Sequence, residues 1–235
     1  MKDTIDQPIL EFPLYLANKP LKTGQWIEVH DKFSGKVYAK VALADAKVIE
    51  KAINSAVKAE QEMAALKPFQ KQKILLHCVN RFKEMRDELV QLLVIEGGKP
   101  KLASAAEVER LINTFQIAAD AVSTIDDGRL IPLAVTSAAS AYRGMVQHVP
   151  IGAVSLVSPF NFPLNLTAHK IAPAIAAGCP FVLKPASLTP ISALKIAEVL
   201  AETDLPKGAF SILPCPREHA DVLVTDDRFK LLSFT

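Results

Sequence analysis

Two side chains in this sequence combine a reactive type with an unusual setting. Asn161 is the lone carboxamide in VSPFNFPLN (157–165), among two prolines and two phenylalanines. An amide of this kind offers two N–H donors and no charge. Aimed at a carbonyl oxygen it stabilises an oxyanion, and loss of one such donor costs roughly 2.7–4 kcal/mol of barrier. Lys184 ends the apolar run FVLK and precedes Pro185, which holds the lysine backbone extended. An ammonium there can reach a ribose hydroxyl or a phosphate. Each residue alone has an ordinary reading: an Asx turn or helix cap for Asn161, a solvated surface lysine for Lys184. The joint occurrence of SPFNFP and KPAS, one helix apart, tips both toward a site. No GxGxxG occurs, so a dinucleotide would not be held by the usual glycine-rich turn.

The elements that must position these residues follow from the alternation after Gly152. Strands GAVSLV (152–157), FVLK (181–184), FSIL (210–213) and KLLSF (230–234) are separated by helical stretches NLTAHKIAPAIAAG, ISALKIAEVLAET and REHADVLVTD. This pattern specifies βαβ units and a parallel sheet, whose ligands bind beyond the carboxyl ends of the strands. SPFN, KPAS and PCPR are three such ends. Upstream, Ser34-Gly35 centres a hairpin. Asp45 caps a helix through AKVIEKAINSAVKAEQEMAAL, and Pro68 starts a second that runs unbroken to Glu96, before Gly97-Gly98. A third covers PKLASAAEVERLINTFQIAADAVSTI, Asp127-Gly128 marks a turn, and LIPLAVTSAASAYRGMVQHVPIG reads as a hairpin leaving the main body.

Bulk properties narrow the class. The 235 residues are 50% hydrophobic, and 27 basic against 25 acidic side chains leave a net charge of +2. That balance gives no electrostatic case for nucleic acid or an anionic membrane. There is no secretory n- and h-region and no run of apolar residues long enough for a membrane span, so a cytoplasmic location is expected. Cys78, Cys179 and Cys215 are few and widely spaced, with no CxxC. They are expected to be structural, buried and inert, and no metal is expected. His169 is expected to be packed and hydrogen-bonded. The sequence stops at Thr235 directly after an apolar strand, which suggests an incomplete polypeptide.

The stretch PIGAVSLVSPFNFPLNLTAHKIAPAIAAGCPFVLKPASLTPISALKIAEVL resembles the cofactor-binding half of NAD(P)-dependent aldehyde dehydrogenases. TDLPKGAFSILP, LLSFT, EGGKP (96–100) and EVER (107–110) fit the same pattern, so the resemblance runs from about residue 20 to the end. It implies an α/β fold: a Rossmann-like parallel sheet with flanking helices and a protruding oligomerisation hairpin, the catalytic domain lying outside this chain. Residues 1–128 would be the N-terminal part of the cofactor-binding domain, 129–149 the oligomerisation hairpin and 150–235 the βαβ core.

The resemblance also implies roles. Asn161 would donate to the thiohemiacetal oxyanion. Val157, Ser158, Pro159 and Phe160 would border the cofactor, the last two on its nicotinamide side, and Phe162 and Leu166 would face the aldehyde channel. Lys184, with Pro185, Ala186 and Ser187, would meet the adenosine ribose. Ser187 stands where NAD-preferring members often carry a glutamate, so NAD or NADP is allowed. Cys215 and Thr235 would lie near the cofactor. Arg110 would approach the substrate mouth, where a guanidinium holds a carboxylate, phosphate or phosphonate; its ordinary reading is a helix ion pair with Glu107. The nucleophilic cysteine and general base would lie beyond Thr235, which makes the fragment alone inactive. Small aldehydes are the implied substrates and a dimer or tetramer the implied assembly. Transfer of the acyl group to coenzyme A, or a non-catalytic nucleotide- or partner-binding module, are the alternatives.

Overall fold

The computed structural model describes residues 9–125 and 128–235; Asp127 of the expected turn lies outside them. Three short strands, β1 (Leu10–Phe12), β2 (Leu14–Leu16) and β3 (Lys19–Leu21), precede the hairpin β4 (Trp26–His30) and β5 (Val37–Ala42). Helices α1 (Ala46–Ala65), α2 (Pro68–Glu84), α3 (Arg86–Gly97) and α4 (Lys101–Ala121) follow, then a second hairpin, β6 (Arg129–Pro132) and β7 (Arg143–Val146). The remainder alternates: β8 (Val154–Val157), α5 (Pro163–Ala177), β9 (Phe181–Lys184), α6 (Pro190–Ala201), β10 (Phe210–Ile212), the short α7 (Val222–Thr225) and β11 (Leu231–Phe234).

The main sheet has the order β11-β8-β9-β10-β2-β3. Its first four strands are parallel, in register Leu231 to Val154 to Phe181 to Phe210, which lines up their carboxyl ends on one edge. The strands β2 and β3 extend it antiparallel. Alternate side chains enter separate cores, as the two-residue period of a strand requires. Phe181 and Leu183 join the large core beneath α5 and α6, whereas Val182 meets Ile49, Ile53 and Ala56 of α1. The Phe181 and Phe210 rings stack at 6.0 Å across neighbouring strands.

Asp45 caps α1 as expected, its carboxylate accepting from the Val48 N–H at 2.8 Å. The β2–β3 hairpin was not anticipated. Its turn needs left-handed backbone at Ala17 (φ 49°) and Asn18 (φ 69°), the requirement of the two-residue turns that suit strand twist. The Asn18 amide stabilises the turn from outside, accepting from the Phe210 N–H at 3.1 Å and donating to the Pro206 carbonyl at 2.9 Å.

Two expected helices are corrected. The long helix from Pro68 to Glu96 breaks at Met85, whose ψ of 8° leaves the helical range. The bend lets α2 pack along α4 and α5 while α3 lies against α4 and α6; tertiary packing overrides an unbroken apolar period. REHADVLVTD forms only a one-turn 3-10 helix, Arg217–His219, and α7. Its one deeply buried anchor is Leu223, too little apolar surface to sustain a longer helix. No helix among the described residues is long and apolar enough to cross a membrane.

Candidate active site

The carboxyl ends of β8, β9 and β10 are fastened together. The Ser158 N–H donates to the Lys184 carbonyl at 3.1 Å, and the Leu213 N–H to the Leu183 carbonyl at 2.8 Å. The Thr167 hydroxyl, on α5, donates to the buried Ser158 Oγ at 3.0 Å. The loop after β8 is thus held at its base while its tip stands free: Val157 and Pro159 are half-buried, Phe160 and Asn161 exposed. Asn161 does not cap the following helix. The N-cap of α5 is Phe162, with no side-chain cap bond, so the ordinary reading of Asn161 is not realised.

The missing cap comes from α4. Glu107 is fully buried, and its Oε1 accepts from the N–H groups of Leu164 at 3.0 Å and Asn165 at 3.3 Å. Its other oxygen pairs with Lys99. The same Lys99 Nζ lies 3.9 Å from the centroid of the Phe162 ring. Arg110 therefore does not form the expected ion pair with Glu107, although the two are three residues apart on one helix. The carboxylate turns inward to α5. Arg110 is exposed, has no ion pair among the described residues, and its guanidinium lies 4.9 Å from the Phe162 ring centroid. Two cations thus flank one aromatic ring, an arrangement favoured by the ring quadrupole. Leu166, half-buried, closes the first turn of α5 through its N–H to the Phe162 carbonyl at 2.9 Å.

The second strand end repeats the device. The start of α6 also lacks a side-chain cap of its own. Fully buried Glu96, at the end of α3, accepts from the Ile191 N–H at 2.6 Å, the Ser192 N–H at 3.0 Å and the Ser192 hydroxyl at 2.6 Å. Burial pushes its carboxyl up to about 7, against the pull of those donors. Sequence reasoning missed both glutamates. EGGKP and EVER set each acid on a helix, but nothing local in them shows that the helix packs beneath a later one opened by proline.

Lys184 stands at the end of β9. Its Nζ makes only a 3.5 Å contact to the Pro185 carbonyl and no ion pair among the described residues. Pro185 is buried, Ala186 half-buried and Ser187 exposed. Cys215, beyond β10, is 1% exposed; burial raises its thiol pKa and the Lys184 ammonium opposes that rise. Thr235 follows β11, its hydroxyl accepting at 2.8 Å from Lys170, whose ammonium pKa burial lowers. All three cysteines are free and buried, and burial also raises the Cys78 pKa. His169 is exposed rather than packed, since it lies on the outer face of α5 beside Pro173. Among the described residues no group of His, Cys, Asp and Glu is placed to hold a metal ion.

The sequence pattern of the aldehyde dehydrogenase family matches residues 20–235. A 3-sulfolactaldehyde dehydrogenase of Priestia aryabhattai is 33% identical over 205 residues, 87% of this chain and 42% of the relative. A lactaldehyde dehydrogenase of Methanocaldococcus jannaschii is 33% identical over 229 residues, 90% of this chain and 46% of the relative. The crystal structure of aldehyde dehydrogenase 21 from Physcomitrella patens, in complex with the reaction product succinate, superimposes with a TM-score of 0.95 at 46% identity. That match covers 97% of this chain and 48% of the other. The chain therefore spans less than half the length of these relatives. A sheet edge built this way, matched over residues 20–235, assigns the chain to the aldehyde dehydrogenase family.

Proposed function

We propose that this chain supplies the cofactor-binding edge and the oxyanion donor of an NAD(P)+-dependent enzyme that oxidises a small, anionic aldehyde to a carboxylate. The observation that carries the reading is the exposed Asn161 amide, one residue before Phe162 and the start of α5, with its helix anchored from behind. When a thiolate adds to an aldehyde, the carbonyl oxygen becomes negative, and a preorganised N–H donor lowers that barrier. Cys78, Cys179 and Cys215 are all buried, so the attacking thiol is one that these 235 residues do not contain.

The residues at the sheet edge suit the cofactor. Lys184 is an uncommitted cation, Ser187 an exposed hydroxyl, and Val157, Pro159 and Cys215 offer an apolar border. When bound, NAD(P)+ accepts the hydride that leaves the substrate carbon. A carboxylate at position 187 would repel a 2′-phosphate; serine does not, so either nucleotide is accommodated. The anionic substrate is read from Arg110, exposed and without an ion pair among the described residues, beside Phe162. Two of the three relatives agree in kind, one named for 3-sulfolactaldehyde and another holding succinate, whereas the lactaldehyde for which the third is named is uncharged. The β6–β7 hairpin exposes Leu130 and Met145, each 72% accessible, and a lone two-stranded hairpin is marginal in water, which supports self-association into a dimer or tetramer. Three free cysteines suit a reducing, cytoplasmic compartment.

The test is Asn161→Ala in the enzyme that carries this chain. The turnover number should fall roughly 10²–10³-fold while NAD(P)+ affinity is retained. A loss of less than about fivefold would remove Asn161 from the chemistry.

A further inference from the structure

The start of a helix that follows a parallel strand is an anion site: its free N–H groups and the helix dipole favour negative charge. In α5 that site is filled from within. The Glu107 carboxylate, fully buried, takes the Leu164 and Asn165 N–H groups. Its partner Lys99, 16% exposed at the side chain, lies over the Phe162 ring. One short chain of contacts therefore links α4 to the residues on either side of the α5 start. Asn161 is the residue immediately before Phe162.

We propose that Glu107 is a positioning residue for the oxyanion donor: by serving as the remote cap of α5, and through Lys99 as the anchor of Phe162, it fixes the loop that presents Asn161. This rests on the reading of Asn161 as the donor. The loop has little else to fix its tip. Its base is tied through Ser158, but Phe160 and Asn161 are exposed and the helix has no cap of its own. Without the carboxylate, two N–H groups at the buried start of α5 lose their acceptor, and the first turn frays into the loop. The lysine loses its counter-charge at the same moment. A donor must sit within a fraction of an ångström of its target, so fraying would lower turnover without removing any group that touches substrate or cofactor.

The test uses the enzyme that carries this chain, with two readouts. Hydrogen exchange at the Leu164 and Asn165 amides reports the cap, and steady-state kinetics report its consequence. Glu107→Ala should accelerate exchange at both amides roughly 10- to 100-fold. It should lower kcat toward that of Asn161→Ala while the KM for NAD(P)+ moves less than about threefold. Glu107→Gln gives up the ion pair with Lys99 but retains a side-chain oxygen for the two amides; because the cap is the main restraint, it should restore both protection and most of kcat. Unchanged exchange in Glu107→Ala, or a kcat per folded molecule equal to that of the parent, would overturn the proposal. Should Glu107→Ala fail to fold, Glu107→Gln decides: a kcat as low as that of Asn161→Ala, with both amides protected, would show that the cap does not position the donor. Exchange needs no turnover. If no aldehyde is oxidised by the parent enzyme, the functional reading falls, and protected amides in Glu107→Ala would still separately defeat the cap.

Discussion

Glu96 makes the stability of this protein depend on pH in a window where few other groups act. Its carboxyl is completely buried, held by two backbone N–H groups and the Ser192 hydroxyl, yet burial dominates and raises it from 4.5 to about 7. The folded protein therefore binds this proton more tightly than the unfolded chain. Between pH 4.5 and 7 the native state carries the extra proton, and stability falls as pH rises. The contribution is complete below the unfolded value and gone above the folded one. A displacement of this size is worth roughly 2–3 kcal/mol between pH 5 and pH 8. The carboxylates Asp31, Glu50, Asp204 and Asp226 are shifted the other way by their partners. Their contributions are lost as pH falls from the usual carboxylate range through their lowered values, below this window.

The assay is urea denaturation at half-unit steps from pH 5 to pH 8, for the parent protein and Glu96→Gln. Glutamine keeps an oxygen acceptor for the α6 start but cannot titrate. The parent should lose roughly 2–3 kcal/mol relative to the variant across the window, with unchanged denaturant slope. Parallel pH profiles for the two proteins would refute the account, because the titrating group would then lie elsewhere.

Two further outcomes follow from the site. Arg110→Ala should raise KM for an anionic aldehyde roughly 10- to 100-fold, the worth of a hydrogen bond to a charged group, and leave a neutral aldehyde of equal length unchanged; equal effects on both would show that Arg110 is not the anion partner. Ser187→Glu should weaken NADP+ binding at least about tenfold relative to NAD+ in a fluorescence titration, since it sets a carboxylate beside Lys184; an unchanged ratio of affinities would place the ribose elsewhere.

Much of this fold was legible because its signals are local. The alternation of four-residue apolar runs with helices fixed the parallel sheet and so the edge where Asn161 and Lys184 emerge. Asp45, three residues before the Val48 N–H it caps, is a signal carried within one turn. What escaped was long in range or short in extent. The strands β2 and β3 have three residues each, too few for a period to show, and their turn is stabilised by an asparagine bonded to residues nearly two hundred positions away. The bend at Met85 has no Gly or Pro to announce it; it follows from where α4 and α6 lie. At the site, Glu107 sits 57 residues before the amide it caps and Glu96 sits 95 before its own. Helical periodicity could place both on a helix but not reveal what packs against it. The Arg110–Glu107 pair failed for the same reason: a local rule yielded to a distant acceptor-poor helix start.

The absent glycine-rich turn and the two internal carboxylates explain each other. A dinucleotide fold that holds pyrophosphate at a helix start needs glycine there, so that the backbone can approach the phosphate closely. Here the two long helices that follow parallel strands, α5 and α6, open with proline, and their N–H groups already have buried carboxyl acceptors in Glu107 and Glu96. A second anion brought to the α5 start would meet the Glu107 carboxylate in a region water does not screen, where like charges repel strongly, and at the α6 start it would find the N–H groups already taken by Glu96. Glycine has no task at these turns, and its place can be taken by the Pro-Phe-Asn-Phe and Pro-Ala-Ser loops, stiffer backbone that carries side chains. In exchange for losing a phosphate cradle at each strand end, the fold gains a fixed loop from which Asn161 or Lys184 can act.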